Sequence, residues 1–318
     1  MAEEPVVVNP EQELETLEAE KLLTPEQESM LSVVWRRFRR HKMAMGGLFI
    51  LVIFVLMALF AKVIAPYDPI SYQDPYNKNA KPSAEHLLGT DELGRDVFSR
   101  LVYAARISLS LAIIVVLLSE SFGALLGGIS GYFGGWVDSL IQRSVEFLLT
   151  LPLLPMLLAF SSLLRGIKIP GVDDMWSSVI IIGTILTIFG WMGSCRLARG
   201  MVLSLRGLDF TDAARALGMS DMGIIVRHML PNALAPIIVN ATLGLGGVII
   251  SESALSFLGF GIQPPVPTWG NMLQSAQQGL LGDPAKIFYP GLAIFLTSVA
   301  FNYVGDGLRD ALDPRLKL

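Results

Sequence analysis

Three glutamates interrupt long apolar stretches of the sequence and are the first candidates for chemistry. Glu120 and Glu252 are each flanked by serines, and Glu146 directly precedes an uncharged run. An ionisable side chain within an apolar segment is costly to bury, and it often marks a transport pathway or a gate. The alternative is a neutral or hydrogen-bonded carboxyl held between helices. Both interpretations stay open for Glu252, and the structural one is favoured for Glu120 and Glu146.

The sequence offers no cluster of the residues that enzymes and metal sites use. Its three histidines, His41, His86 and His228, are far apart in the chain. A single cysteine, Cys195, excludes a disulfide framework and any site built on several thiolates. Because the GxxxxGK[ST] loop is absent, ATP is expected to bind elsewhere. We therefore expect neither an enzyme activity nor a metal site in this chain.

The composition is that of a membrane protein. Of 318 residues, 52% are hydrophobic and only 16% are charged, whereas soluble domains carry about 25% charged residues. The net charge of −4 conceals an asymmetry, because residues 1–30 hold nine acidic residues and one basic residue. An acidic tail therefore precedes a mildly basic and very apolar body.

Uncharged intervals place six candidate spans, each close to the length that crosses roughly 30 Å of hydrocarbon. They are residues 43–61, 107–137 (interrupted by Glu120), 147–164, 175–195, 228–251 and 287–305. Lipid offers backbone groups no partner, and runs this long exclude barrel strands. We therefore predict an all-α polytopic membrane protein with six transmembrane helices. The distribution of Lys and Arg, including the basic cluster at 35–42, places both termini in the cytoplasm.

These features divide the chain into four segments. Residues 1–34 form an acidic cytoplasmic tail, and residues 35–65 contain the basic flank and the first transmembrane anchor helix. Residues 66–105 are an external loop, and residues 106–318 hold five further spans with a cytoplasmic connection at 196–233. Connections between helices are usually a few residues long, so loops of this size generally have a task.

The cytoplasmic connection is predicted to contain two short helices joined at Gly218. Asp209 or Thr211 can cap the first helix and Ser220 the second, and glycine suits the left-handed residue that ends a helix. Pro231 ends or kinks the second helix before the fifth span. One interpretation is an interfacial helix that only joins two spans. The other is a docking helix for a cytoplasmic partner.

The sequence of this connection resembles the EAA motif of ABC-importer permease subunits. That family carries Glu-Ala-Ala, three residues, Gly, nine residues and then Ile-x-Leu-Pro. The corresponding residues here are Asp212, Ala213, Ala214, Gly218, His228, Leu230 and Pro231. Aspartate in place of glutamate keeps the charge, whereas His228 puts a polar group at an apolar position. At helical spacing, Ala213, Ala214 and Leu217 form a small-residue face that lets another surface approach closely.

Three further stretches narrow the resemblance. Residues 86–112, 251–273 and 302–317 look like segments of dipeptide, oligopeptide and nickel importer permeases, and the N-terminal anchor span is typical of their C-type subunit. The resemblance covers about residues 35–318. It implies the type I ABC importer permease fold, with a coupling helix between spans 4 and 5. The implied cargo is peptides, or alternatively nickel, glutathione or oligosaccharides; a secondary transporter working without ATP is the less favoured alternative.

The resemblance also implies partners and a location. A homologous second permease subunit completes the pathway, two ATPase subunits bind ATP and Mg, and an extracytoplasmic binding protein delivers the substrate. The chain itself is expected to be a multi-pass protein of the bacterial inner membrane with no cofactor of its own. The residues expected to couple to the ATPase are Asp212, Ala213, Ala214, Leu217, Gly218, Leu230 and Pro231.

The external turn at 89–96 has two interpretations. Asp91, Arg95 and Asp96 can bridge locally or cap the following helix, or they can contact the docked binding protein together with Trp269. Local structure is favoured, and both roles can hold. The acidic tail is expected to be a solvated lead-in, with an amphipathic segment touching the ATPase or the membrane as the alternative.

Overall fold

The computed structural model describes residues 29–278 and 284–313, and most of this part of the chain is helical. Residues 1–28 of the acidic tail and the last residues of the C-terminal motif lie outside the described residues, and the end of the tail forms the start of the first helix. The helices are α1 (Met30–Arg40), α2 (Lys42–Leu59), α3 (Ala61–Ile64), α4 (Val97–Phe133), α5 (Gly135–Thr150), α6 (Leu153–Leu163), α7 (Asp174–Gly190), α8 (Met192–Leu205), α9 (Asp209–Ala216), α10 (Asp221–Ile224), α11 (Leu230–Asn232), α12 (Leu234–Phe257), α13 (Trp269–Gln278) and α14 (Ala285–Leu312). A π turn, Ile225–Met229, joins α10 to α11.

Among the described residues, five spans are long and apolar enough to cross a membrane, which confirms the all-α membrane fold. They are α2, α4, α7 together with α8, α12 and α14. The third predicted span is different, because it contains a break at which α5 and α6 are bent by 90°. Leu151 is extended there, at φ −78° and ψ 135°, since the residue before a proline is forced out of the helical region. Counting this bent pair as one span gives the predicted six.

The second span begins earlier than the uncharged interval predicted. Helix α4 starts at Val97, inside the segment that was expected to be external loop up to residue 105. Asp96 caps it, because its carboxylate accepts a hydrogen bond from the Ser99 backbone N–H at 2.7 Å. Arg100 is buried in the first turns, and its guanidinium donates to the Pro69 carbonyl at 2.9 Å. A charged residue therefore lies within the helix without facing lipid.

Glycines bring α4 into direct contact with the backbone of α8. Gly123, Gly127 and Gly131 recur every four residues on one face of α4. A Cβ atom at Gly127 would lie 2.2 Å from the Cys195 carbonyl oxygen, and one at Gly123 would lie 2.3 Å from that of Trp191. Small residues at this spacing allow two membrane helices to approach closely. The glycine-rich part of the second span therefore serves helix packing.

A second group of helices surrounds α14. The buried residues of this core come from α1, α2, α4, α12, α13 and α14, with Phe38, Leu51, Ile249, Trp269 and Phe301 among them. The basic helix α1 is fastened to the end of α14, where Arg37 donates from Nη1 to the Asp313 carbonyl at 2.8 Å. The anchor helix α2 is thus an integral part of the bundle.

The segment between α3 and α4 is folded onto itself. Gly94 has φ +76°, and a Cβ atom there would lie only 1.9 Å from the Asp74 carbonyl oxygen. The Asp74 backbone N–H in turn donates to the Gly94 carbonyl at 3.0 Å. The turn at 89–96 is therefore closed by backbone contacts with residues some twenty positions earlier in the chain.

Substituting Gly94 with alanine is expected to open this segment. The new methyl group overlaps a carbonyl oxygen, and the left-handed backbone adds strain of about 1–2 kcal/mol. Gly166 is the matched control, because it has φ +80° and no atom within 4 Å of a Cβ position. Limited proteolysis in detergent should cleave Gly94→Ala between α3 and α4 much faster than Gly166→Ala. Equal cleavage of the two variants would show that the close contact is not needed.

Candidate functional site

The connection between α8 and α12 forms a compact platform at one end of the bundle. Helix α9 ends in a Schellman motif, in which the Met219 N–H donates to the Ala214 carbonyl at 3.1 Å and the Gly218 N–H to that of Arg215 at 3.0 Å. Gly218 has φ +78°, the left-handed conformation that glycine adopts without strain. The predicted pair of short helices joined at Gly218 is confirmed.

The helix caps agree with the sequence only in part. Ser220 caps α10 by accepting a hydrogen bond from the Gly223 N–H at 3.2 Å. The prediction for α9 is wrong, because Leu208 occupies the N-cap position and no side chain caps the helix. Asp209 is already inside the first turn, and Thr211 is buried with its hydroxyl donating to the Leu205 carbonyl at 3.1 Å. That bond ties α9 to the end of α8 instead.

One face of α9 packs against its own chain. Ala214 is buried in a cluster with Val202, Ile224, Ile225 and Met229. The predicted small-residue face therefore does not exist as one surface, because Ala214 points inward whereas Ala213 and Leu217 are exposed. The physical reason is that the apolar side chains of α10 and the π turn are buried against α9, and Ala214 contacts them.

The opposite face of α9 presents apolar and small groups to the surroundings. Asp212, Ala213 and Gly218 are exposed, and the Leu217 side chain is 88% exposed. An exposed aliphatic side chain held on a rigid helix can act as an anchor in a pocket of a partner protein. This exposed face of α9 is the candidate docking surface, and we define it by Asp212, Ala213, Leu217 and Gly218.

The remaining motif residues lie where the platform rejoins the bundle. Leu230 is half-buried against Ile225 and Met229, and Pro231 is exposed in α11. The Leu230 N–H donates to the Ile225 carbonyl, which closes the π turn. Pro231 lacks an N–H, so the chain changes from the π turn to α12 at this point. Leu230 and Pro231 therefore determine how the chain passes from the platform into α12, and they lie apart from the exposed face of α9.

Polar contacts fasten the platform to the end of α4, and sequence reasoning missed them. The Tyr132 hydroxyl donates to the Asp221 carboxylate at 2.6 Å and accepts from the Arg215 guanidinium at 3.3 Å. Arg215 also pairs with Asp212 at 3.0 Å. Because Tyr132 is one residue from the end of α4, these contacts connect α9 directly to a long membrane helix. The Asp212–Arg215 spacing within α9 was visible in the sequence, but its partner Tyr132 was not.

A second polar network joins the same ends of α4, α5 and α8. Arg199 makes two hydrogen bonds of 2.6 Å to the Asp138 carboxylate, from Nε and Nη2. Ser130 also donates to Asp138, and Gln142 donates to Ser130 at 3.0 Å. A bidentate arginine–carboxylate pair fixes both distance and orientation. Three helices are therefore locked together beside the platform.

Replacing Asp138 with asparagine is expected to lower the stability of this end of the bundle. Removing one partner leaves the half-buried guanidinium of Arg199 uncompensated, with an expected cost of about 1–3 kcal/mol. The double variant Asp138→Asn, Arg199→Gln should lose little more than Asp138→Asn alone, because both changes break the same contact. Thermal unfolding of the purified complex in detergent measures these differences. Fully additive losses would contradict the pairing.

The three candidate glutamates occupy different environments. Glu120 is buried and lines a cavity between helices, and its Oε1 accepts a hydrogen bond from Asn240 at 2.7 Å. Glu146 is exposed on α5, so the expectation of a carboxyl buried between helices does not hold for it within the described chain. Glu252 is fully buried near the end of α12. The structure therefore does not bring the three together into one site.

Glu252 sits in a hydrogen-bonded network rather than on an open surface. Its Oε1 accepts from the hydroxyls of Ser256 at 2.7 Å and Thr268 at 3.0 Å. Thr268 directly precedes α13, so the contact ties α12 to the segment that carries Trp269. Oε2 of Glu252 has no hydrogen-bond partner among the described residues. The arrangement favours the structural interpretation over a gate.

The residues expected to contact a binding protein are instead occupied within the chain. Arg95 pairs with Asp91 at 2.7 Å, and Asp96 caps α4 and contacts His86 Nδ1 at 3.0 Å. Arg95, Asp96 and Trp269 are all buried. The Trp269 indole N–H donates to the Leu101 carbonyl at 3.3 Å. Local structure is confirmed for these residues, and a surface role for Trp269 is wrong because its ring completes the core.

Comparisons with known proteins agree with this architecture. Residues 123–318 match the family described as the binding-protein-dependent transport system inner membrane component. Residues 29–82 match the N-terminal TM domain of oligopeptide transport permease C. These two matches together cover both the anchor helix α2 and the bundle that carries the platform.

Individual relatives are similar over nearly their whole length. The dipeptide transport system permease protein DppC of Alkalihalophilus pseudofirmus is 40% identical over 315 residues, which is 96% of this chain and 100% of that protein. The glutathione transport system permease protein GsiD of Escherichia coli is 42% identical over 283 residues, 89% of this chain and 90% of that protein. The chain is therefore a multi-pass inner-membrane permease that belongs to the family of binding-protein-dependent transport system inner membrane components.

Proposed function

We propose that this chain is one of two permease subunits of an ATP-driven importer of peptides. Two relatives named as permeases for a dipeptide and for glutathione, itself a small peptide, support this cargo class. In the proposed assembly a homologous subunit forms the other half of the pathway, and an extracytoplasmic binding protein delivers the peptide. Two ATPase subunits bind ATP and Mg and supply the energy.

The platform is proposed to dock onto an ATPase subunit in the cytoplasm. The single observation that carries this role is the exposed Leu217 beside Ala213 on a helix whose other face is anchored to the bundle. A rigid helix in a partner's groove transmits closure as rigid-body motion. Through Tyr132 and the Asp138–Arg199 pair, that motion reaches α4, α5 and α8. We further propose that both chain termini are cytoplasmic, which the distribution of Lys and Arg in the sequence supports.

Reconstitution tests the proposed cargo. The complete complex of two permease subunits and two ATPases is placed in proteoliposomes with its binding protein. We expect ATP-dependent uptake of a labelled dipeptide that stops when ATP is replaced by a non-hydrolysable analogue. Uptake of reduced glutathione but not of the dipeptide would assign the narrower cargo. Uptake that is independent of ATP would overturn the proposal in favour of a secondary transporter.

A further inference from the structure

A cavity of about 220 Å³ lies between α4, α6, α7 and α12, away from the platform. Most of its wall is apolar, from side chains such as Val116, Leu157, Leu186 and Phe189. Two glycines of α12, Gly244 and Gly247, form one side of the cavity. A Cβ atom at Gly247 would have no other atom within 4 Å, so the space beside it is open. Ligand sites in proteins are commonly such apolar cavities with a few placed polar groups.

The one acidic group in this wall is Glu120. Its side chain is only 8% exposed, and its two carboxylate oxygens differ in their hydrogen bonding. Oε1 accepts a hydrogen bond from the Asn240 amide at 2.7 Å, whereas Oε2 is shielded from solvent without a hydrogen-bond partner in the described ranges. Leaving such an oxygen unsatisfied in a buried position is costly, typically about 1–3 kcal/mol.

Within residues 29–278 and 284–313, no positively charged side chain forms a salt bridge with this carboxyl. Ser119 and Ser251 also line the cavity, and the Ser194 hydroxyl donates to the Glu120 backbone carbonyl at 3.1 Å. Asn240 holds the carboxyl in place from α12, so this side chain joins two long helices beside the cavity. The site is thus prepared for a small group that donates hydrogen bonds and carries positive charge.

We propose that the Glu120 carboxylate binds a primary ammonium group of the cargo as it passes through the cavity, namely the free amino terminus of a peptide. An ammonium has three N–H donors, so it can bond to the Glu120 carboxylate and to the serine hydroxyls of the cavity wall. Charge-assisted hydrogen bonds of this kind are about twice as strong as neutral ones. The apolar wall then faces the first side chains of the peptide. This inference rests on the proposed peptide cargo and adds to it the chemical group that the permease recognises.

Protection from a hydrophobic carbodiimide tests binding directly. This reagent modifies carboxyl groups inside apolar regions, and mass spectrometry of the purified complex reads the modification at Glu120. A dipeptide with a free amino terminus is expected to slow the modification several-fold, whereas its N-acetylated form at the same concentration is not. Equal modification with both peptides would overturn the inference. Equal protection by sodium chloride at matched concentration would also overturn it, because an inorganic cation would then suffice.

Uptake by a conservative variant provides the second test. Glu120→Gln keeps the Asn240 hydrogen bond and the side-chain volume but removes the charge. It is expected to reduce ATP-driven uptake of the free-amine dipeptide by about tenfold or more. Glu85→Gln, on an exposed residue between α3 and α4, is the matched control and should transport at the wild-type rate. ATPase activity stimulated by the binding protein confirms that each complex is assembled.

The outcomes separate this inference from the proposed function. If the wild-type complex takes up the dipeptide and Glu120→Gln does so equally well, the ammonium site is wrong and peptide import stands. If the wild-type complex takes up no peptide, the proposed cargo fails first. A loss of uptake in Glu120→Gln together with a loss of stimulated ATPase activity would assign Glu120 to the structure of the bundle and overturn the inference.

Discussion

Replacing Leu217 with aspartate should abolish ATP-driven uptake while leaving the chain folded in the membrane. The side chain is 88% exposed, so its loss removes almost no contact within the chain. In the proposed complex it fills a pocket on the ATPase, and burying an unpaired carboxylate there costs several kcal/mol. We expect the ATPase subunits to be lost on purification, or their activity to become independent of the binding protein. Size-exclusion chromatography and uptake into proteoliposomes measure both effects.

Tyr76→Asp is the matched control for Leu217→Asp. Tyr76 is 96% exposed and lies in the segment between α3 and α4, far along the chain from the platform. Its replacement also exchanges a large exposed side chain for a charge, and ATPase subunits should still co-purify. Retention of full uptake by Leu217→Asp would contradict the docking role of the exposed face of α9.

Substitutions at the other motif residues test docking less directly, because they also affect the folding of the platform. A large residue at Ala214 would expand the buried cluster around Ile225 and destabilise the platform before any docking is measured. At Gly218 the surrounding space is open, but the left-handed backbone strains any other residue by about 1–2 kcal/mol. Leu217 and Ala213 separate docking from folding better than Ala214 or Gly218.

Replacing Gly127 with leucine should prevent the bundle from folding. The Cβ position lies 2.2 Å from the Cys195 carbonyl oxygen and 2.9 Å from the Ala198 Cβ atom, so the backbone of α8 would have to move away. Overpacking of a close helix contact costs typically about 1–3 kcal/mol, and contact with the backbone raises this further. We expect strongly reduced yield and a lower thermal midpoint in detergent. The hydrogen bonds between Asp138 and Arg199 would break as the helices move apart.

Gly200→Leu on α8 controls for the loss of a glycine in the same helix pair. No atom lies within 4 Å of a Cβ position at Gly200, so the new side chain has space in the isolated subunit. The chain carrying it should fold with a thermal midpoint close to that of the wild type. If Gly127→Leu folds equally well, the close α4–α8 contact does not hold the bundle together.

The membrane spans were predictable because residues that cross the bilayer are apolar and mostly uncharged. The wrong predictions, at the third span and at the start of α4, have local causes. The uncharged run at 147–164 hides a 90° bend, which hydropathy does not detect. The restriction on Leu151 before Pro152 was readable as a break signal. The uncharged interval begins only after Arg106 and predicts too late a start for α4, because Arg100 and Arg106 lie inside this helix. Arg100 is instead satisfied by the Pro69 carbonyl, a contact between residues 31 positions apart.

The platform was predictable from its motif, but its two faces were not. The spacing of Gly218 and Ser220 gave the helix end and the next cap because both effects are local. Which side of α9 is buried depends on Ile224, Ile225 and Met229, which fold back from the next helix. Tyr132 and Trp269 acquire their roles from distant partners, Asp221 and Leu101, that no local pattern reveals.

Cross-linking from position 217 tests the docking role most directly. The only cysteine of the sequence, Cys195, is buried, so Leu217→Cys provides a single exposed thiol on the subunit. A short thiol-to-amine cross-linker added to the cytoplasmic face of inverted membrane vesicles should join this chain to an ATPase subunit, and ATP should change the yield. The same reagent should give no such product with Tyr76→Cys. A thiol at position 217 that is reached only from the opposite face, or that never links to the ATPase, would contradict the proposed coupling.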